Sequence, residues 1–296
     1  MYKILNKRLL APNIYLMDIE APRVAKSSKP GQFVIVRMDE KGERIPLTIC
    51  DYDKDKKSVT IVFQVVGSST KRMAALEVGE HFMDFVGPLG QPSELVNEDL
   101  EELRKKKIIF IAGGVGAAPV YPQVKWLNSV GVKADVIVGT KSKETLILEE
   151  EMKEVAGNMY VATDDGSYGF KGLVTDLLKK LIDEEKKEYD LVIAIGPMIM
   201  MKFVTKLTKE YGLKTIVSLN TLMVDGTGMC GACRVTVAGK TRFACVEGPE
   251  FDGHEVDFEE AMRRQGMYKT EEGKKILEDQ EKVEGHKCFV GLDGEE

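Results

Sequence analysis

Asp225, Cys230, Cys233 and Cys245 are the residues whose types and spacing most directly imply chemistry. They run Asp-x4-Cys-x2-Cys-x11-Cys, with Gly226, Gly228 and Gly231 among them. Thiolates are soft metal ligands, and clustered thiolates repel unless a metal takes up their charge. An x4, x2 spacing with one late ligand suits a [2Fe–2S] cluster. Asp225 stands where the first thiolate of that pattern would be, with the same charge but a harder donor atom. The glycines permit positive φ and close backbone approach. N–H groups freed in such a loop can point at cluster sulfides. Two other readings stay open: a structural zinc site of Cys3Asp make-up, and a group of ordinary buried cysteines.

A second constellation lies mid-chain. The apolar run Ile108–Ala112 enters Gly113, Gly114, Val115, Gly116, Ala117, Ala118 and Pro119. A buried strand, a glycine-rich turn and a helix make a dinucleotide pattern, because glycine lets the backbone approach a pyrophosphate. Pro119 suits the first turn of the helix. Strands and helices are then expected to alternate as far as Leu219, giving a five-stranded parallel sheet with helices on both faces. Ligands of such sheets sit beyond the strand C-termini. The turns there are Gly113–Ala118, Thr163-Asp164-Asp165-Gly166 and Gly196-Pro197-Met198. Asp164 and Asp165 would repel a 2′-phosphate and favour NAD(H) over NADP(H); Lys141 and Lys143 argue the other way. Gly239-Lys240-Thr241 is no P-loop, since Arg234 occupies the required glycine position; it reads as a hairpin turn.

To position these groups, the first hundred residues offer short strands: Asn13–Glu20, Gln32–Met38, Pro46–Asp51 and Ser58–Val66. Even spacing and polar turns predict a small antiparallel barrel. Val66, Gly67, Ser68, Ser69 and Thr70 then lead into a short helix. Its N-terminus is either a simple capped end or an anion site for a phosphate. A charged stretch, Asn97–Lys107, links the barrel to the parallel sheet. After Cys245 a charged, helix-prone region, roughly Phe258–Glu281 with a Gly break or two, packs on its own chain or docks a partner.

The net charge is −6 with no basic patch, which argues against nucleic acid as a partner. No apolar run is long enough to span a membrane. An odd count of 5 cysteines suits a reducing cytoplasm better than a disulfide framework. Cys50 and Cys288 are read as structural. There is no Gly-x-Ser-x-Gly elbow, and His81, His254 and His286 are scattered, so hydrolytic chemistry has no support.

Arg44, Pro46, Leu47 and Thr48 resemble the flavin-binding strand of the ferredoxin reductase superfamily, with Leu47 in place of its aromatic residue. The resemblance implies Arg44 at the FAD pyrophosphate and Thr48 near the isoalloxazine. Gly196–Met198 resembles that superfamily's turn facing the nicotinamide. Flavin barrel, nicotinamide domain and iron–sulfur module in this order resemble the electron-transfer subunits of dihydroorotate dehydrogenase. Asp225 and the longer C-terminus resemble their relatives, the small subunits of NADH-dependent reduced ferredoxin:NADP oxidoreductases, also described as sulfide dehydrogenases. That likeness implies an FAD barrel (1–98), an NAD-binding α/β domain (99–220), a [2Fe–2S] module (221–250) and an extension (251–296). It also implies a heterodimer with a large flavin and iron–sulfur subunit, and electron bifurcation. The reading from another class is a zinc-stabilised regulatory or binding subunit without redox turnover.

Overall fold

A computed structural model of the chain describes residues 1–268 and 270–274. Cys288, His286 and the later part of the expected C-terminal helix lie outside the described residues. Seven strands, β1 to β7, form one antiparallel sheet: Tyr2–Ala11, Ile14–Glu20, Phe33–Arg37, Ile45–Asp53, Ser58–Gln64, His81–Phe82 and Asp84–Leu89. Their order is β6-β1-β2-β5-β4-β3-β7. The two outermost strands are consecutive in the chain. Only Met83 separates them, and its N–H donates to the Arg37 carbonyl at 2.9 Å. The sheet therefore rolls into a nearly closed barrel, as its strand spacing predicts.

Strand β3 shows why these residues choose this structure. Val34 and Val36 point into the barrel core, while Phe33 and Ile35 pack outward beside Met223, Cys233 and Cys245. Alternate side chains of a strand face opposite sides, so burial of both faces demands a continuous apolar run. Phe33-Val34-Ile35-Val36 is that run.

Helices α1 (Pro22–Ser27) and α2 (Ser68–Ala75) attach to the barrel, and α3 (Leu100–Leu103) lies in the charged linker. The second sheet uses β8 (Ile108–Gly113), β9 (Asp135–Thr140), β10 (Met159–Thr163), β11 (Phe170–Lys171), β12 (Leu191–Ile195) and β13 (Lys214–Ser218). Helices α4 (Ala117–Ser129), α5 (Glu149–Val155), α6 (Val174–Asp183) and α7 (Met198–Glu210) cover it. The hairpin β14 (Arg234–Val237) and β15 (Lys240–Phe243), strand β16 (Glu250–Asp252) and α8 (Phe258–Gln265) follow. The sheet order is β11-β10-β9-β8-β12-β13-β16. The five expected parallel strands are its centre. The short β11 adds a parallel edge, and β16, returning from the cysteine region, adds an antiparallel one. Both exceed the expectation because strands of two or three residues carry no periodic signal. The Ala238-Gly239 turn has positive φ at both residues (49° and 70°), as a two-residue hairpin needs. Helix α8 ends at Gly266, as glycine commonly ends helices, and residues 270–274 are helical again, so the expected glycine break falls there. Among the described residues, no helix is long and apolar enough to cross a membrane.

Barrel and parallel sheet share an interior. Ala11, Ile14, Leu16, Cys50 and Val62 belong to the same buried cluster as Phe110, Val124 and Met152. Burial raises the Cys50 thiol pKa well above its ordinary range, in keeping with a structural role. A second junction lies at Glu250, whose carboxylate accepts from Gln123 Nε2 at 2.6 Å. Ser93, on the exit from the barrel, also hydrogen-bonds it. Burial pushes the Glu250 carboxyl up to about 7.

A carboxyl with a raised folded pKa costs stability once the unfolded chain can ionise it. That cost is absent below the ordinary carboxyl pKa of 4.5, grows as pH rises towards about 7, and is constant above. Glu250→Gln keeps an acceptor for Gln123 and removes the titration. It is expected to stabilise the protein at pH 8 by roughly 2–3 kcal/mol and to leave pH 4 stability nearly unchanged, as read by denaturant melts.

Candidate functional site

The parallel strand order reverses at β8, which lies between β9 and β12. A crevice must open at the C-terminal end of such a strand. The Gly113–Gly116 turn lies there and forms a wall of a cavity of about 1770 Å³. That volume exceeds the roughly 300–1,000 Å³ typical of a pocket for one small ligand. It is bounded on one side by the barrel and on the other by the parallel sheet, so two dinucleotides can meet across it.

On the sheet side, Gly113, Gly114, Val115, Gly116, Ala118 and Pro119 line the cavity, while Ala117 is fully buried behind them. A Cβ on Gly116 would come within 2.2 Å of the Ile195 carbonyl oxygen, so only glycine lets the turn lie this close to β12. A Cβ on Gly114 would meet nothing within 4 Å. Its backbone faces open cavity, the cradle a pyrophosphate needs. Gly196, Pro197 and Met198 continue this wall. Asp164 and Lys141 both border it, so the pair of opposite charges proposed to set the cofactor preference meets there. Thr163 is fully buried, and its hydroxyl donates to the Tyr168 carbonyl at 2.7 Å, fastening the turn. Asp165 accepts from the Ser167 N–H at 2.9 Å, and Ser167 lowers its pKa. Gly166 holds φ +77° in the same turn. Lys143 Nζ sits 5.0 Å over the Tyr168 ring and does not border the cavity.

On the barrel side, Pro46, Leu47, Thr48, Val66 and Thr70 line the cavity. Gly67, Ser68 and Ser69 are not among its walls. Thr70 Oγ1 accepts from the N–H groups of Val66 and Gly67, both at 3.0 Å, closing the start of α2. Ser69 donates to Glu43. Arg44, expected at a pyrophosphate, does not border the cavity. Its Nε–H donates to the Val224 carbonyl at 2.7 Å, and Nη2 lies 3.5 Å from the Asp225 carbonyl. One more residue between Arg44 and Thr48 than the superfamily pattern has turns the guanidinium to the opposite side of the strand.

The cysteine loop rests on the barrel just behind this wall. Cys233 and Cys245 are 1% exposed, and their sulfurs lie 3.2 Å apart without a disulfide. Burial pushes the Cys245 thiol up to about 12, and the Cys233 sulfur adds to the shift. The Cys230 thiol is exposed. Asp225 accepts from the Thr227 N–H at 2.8 Å and the Cys230 N–H at 2.9 Å. Those bonds, Thr227 first, hold its carboxyl below the usual range. Among the described residues, no three His, Cys, Asp or Glu side chains converge at metal-binding distance. The donor chemistry nevertheless fits a metal cluster. Two buried thiols in contact need a cation if they ionise, and Asp225 and Cys230 close the loop beside them. Gly226 has φ +77°, and a Cβ there would press within 2.8 Å of Leu89 and Ile35. Only glycine lets the loop lie flat on the barrel.

Phe33 and Met223 were missed as site residues. Both line the cavity, and both belong to the buried cluster that contains Cys233 and Cys245. Apolar residues in apolar runs carry no sequence signal for this double role. Only the cross-strand pairing of Phe33 with Thr48 reveals it.

Known proteins resemble this chain along most of its length. Residues 220–257 match the iron–sulfur cluster binding domain of dihydroorotate dehydrogenase B, and residues 110–206 match the oxidoreductase NAD-binding domain. An "Uncharacterized protein in adh 3'region" of Clostridium beijerinckii is 65% identical over 95% of each chain. A "Dihydroorotate dehydrogenase B (NAD(+)), electron transfer subunit homolog" of Thermotoga maritima is 44% identical over 91% of this chain and 92% of its own. A solved structure of the NADH-dependent reduced ferredoxin-NADP oxidoreductase, described for flavin-based electron bifurcation, superposes with a TM-score of 0.84. It is 41% identical and covers 97% of each chain.

Gly116→Ala is expected to weaken NADH binding by at least about tenfold, since the turn must back away from β12. Flavin content should be unchanged. Equilibrium titration of flavin-loaded protein with NADH, under conditions that block turnover, checks this.

Proposed function

Because this chain belongs to the family of dihydroorotate dehydrogenase B electron-transfer subunits, we propose that it relays electrons from NADH to a large partner subunit. It is an NAD(H)-dependent flavin and iron–sulfur oxidoreductase subunit with three cofactors: NAD(H), FAD and a [2Fe–2S] cluster. When bound, a flavin accepts hydride and gives up single electrons, which a cluster passes on. The observation that carries the reading is the wall formed by Phe33 and Met223. It separates the cavity from the cysteine sulfurs by one layer of side chains.

The chain's own residues bind, orient and exclude water. Gly113–Gly116 would cradle the NAD(H) pyrophosphate, with Gly196–Met198 beside the nicotinamide. Asp164 at the cavity edge favours NAD(H). Pro46, Leu47 and Thr48 would hold the flavin ring, and Val66 and Thr70, at the start of α2, would border its phosphates. Asp225, Cys230, Cys233 and Cys245 would ligate the cluster. Phe33, Ile35 and Leu89 keep water from its barrel side. No acid, base or nucleophile is required of the protein.

The finer reading is a heterodimer that bifurcates electrons, with the large subunit carrying a second flavin and further iron–sulfur clusters. The match to the NADH-dependent reduced ferredoxin-NADP oxidoreductase along 97% of the chain supports this over dihydroorotate oxidation. The free thiols among the described cysteines fit a partner protein in a reducing cytoplasm.

Anaerobic NADH titration of the purified protein should bleach the flavin first and then the cluster bands. Flavin bleaching that is never followed by cluster reduction would overturn the relay. Asp225→Cys should retain the cluster and shift its midpoint potential. An Asp225→Ala protein with unaltered EPR spectrum and potential would remove Asp225 from the ligand set.

A further inference from the structure

Helix α8 begins where the matched cluster-binding region ends, at residue 257. Phe258 and Ala261 bury one of its faces in the core beneath α7. Met262 and Gln265, three residues apart and so on neighbouring turns of one side, line the cavity. They stand beside Ser218–Thr221, where β13 ends. Two bonds fix the helix there. Gln265 Nε2 donates to the Asn220 carbonyl at 3.1 Å. Arg264 Nη2 donates to the Ala232 carbonyl at 3.2 Å, in the cysteine loop.

The sheet order decides which half of a dinucleotide α8 meets. Lys141 and Asp164 follow β9 and β10, on one side of the Gly113–Gly116 turn; β12 and β13 lie on the other. A dinucleotide lying across the strand ends with its pyrophosphate at that turn has one half on each side. The nicotinamide half must be the one that meets the flavin. The Phe33 and Met223 wall, with Ser218 and Leu219, lies towards the β13 side. Helix α8 therefore borders the nicotinamide half.

We propose that Met262 and Gln265 are contact residues for the nicotinamide mononucleotide half of NAD(H). The inference rests on the reading of the cavity as the meeting place of NAD(H) and flavin. An unbranched thioether adapts to the face of a flat ring. With its N–H on Asn220, the Gln265 amide keeps its oxygen to accept from the carboxamide or ribose of the ligand. The helix beyond the cluster module is thus part of the hydride donor's site.

The test uses protein loaded with FAD and cluster, and two donors: NADH, and reduced nicotinamide mononucleotide, which lacks the adenosine half. Met262→Ala and Gln265→Ala should each raise the apparent Kd in the flavin-reduction step by about tenfold for both donors. The cluster EPR signal and flavin content should not move. A change with NADH alone would place α8 on the adenosine half and overturn the proposal; so would no change with either donor. Met262→Leu preserves the packing volume and carries the test should the alanine variant lose a cofactor. It should raise both Kd values to a smaller extent, and equal Kd values for wild type would count against the contact. Unmodified protein whose flavin NADH fails to bleach would bring down the relay, and this inference with it.

Discussion

The packing of the cysteine loop onto strand β3 is the contact on which the rest depends. One strand serves two interiors, with Val34 and Val36 in the barrel and Phe33 and Ile35 against the sulfurs. A one-residue slip in register would exchange those faces and expose the apolar set meant for each. Gly226 makes the contact possible, because any side chain there would strike Leu89 and Ile35. The distance between cavity and sulfurs is thereby set by strand geometry and by no flexible linker.

Electrostatics acts on the same contact. Three thiols and a carboxylate concentrate negative charge when ionised, and α8, the barrel and the loop's own backbone all supply partners of opposite polarity. Gly228 N–H bonds the Cys245 sulfur, and Arg44 and Arg264 donate to carbonyls of the loop and its flank. Oriented donors of this kind stabilise charge without reorganising, since folding has already aligned them. Arg44 immediately precedes β4, the strand that presents Thr48 to the cavity, so its side chain ties a flavin-side wall to the loop bearing Asp225.

The fold was legible where the chain obeys simple periods. Short, evenly spaced strands along residues 14–64 and the apolar runs before glycine turns foretold the barrel and the parallel strands within a residue or two. The glycine turn after Ile108–Ala112 was readable because backbone approach restricts residue type. Phe33 and Met223 were hidden, since an apolar side chain that faces a ligand looks the same in sequence as one that faces a core. Arg44 was hidden for another reason. Its residue type suits a phosphate, and only its register on the strand turns it to the cysteine loop. Helix α8 could be foreseen as a helix, but its neighbours are set by contacts between residues over thirty positions apart, such as Arg264 with Ala232.

The shared interior of the barrel and the nucleotide-binding sheet has an evolutionary corollary. Ile14, Leu16 and Val62 from one, and Phe110, Val124 and Met152 from the other, fill a single volume. Close packing lets neither half change shape alone. Recombination that exchanged either half with a distant cousin's would inherit a mismatched seam, so in this lineage the two halves are expected to descend together.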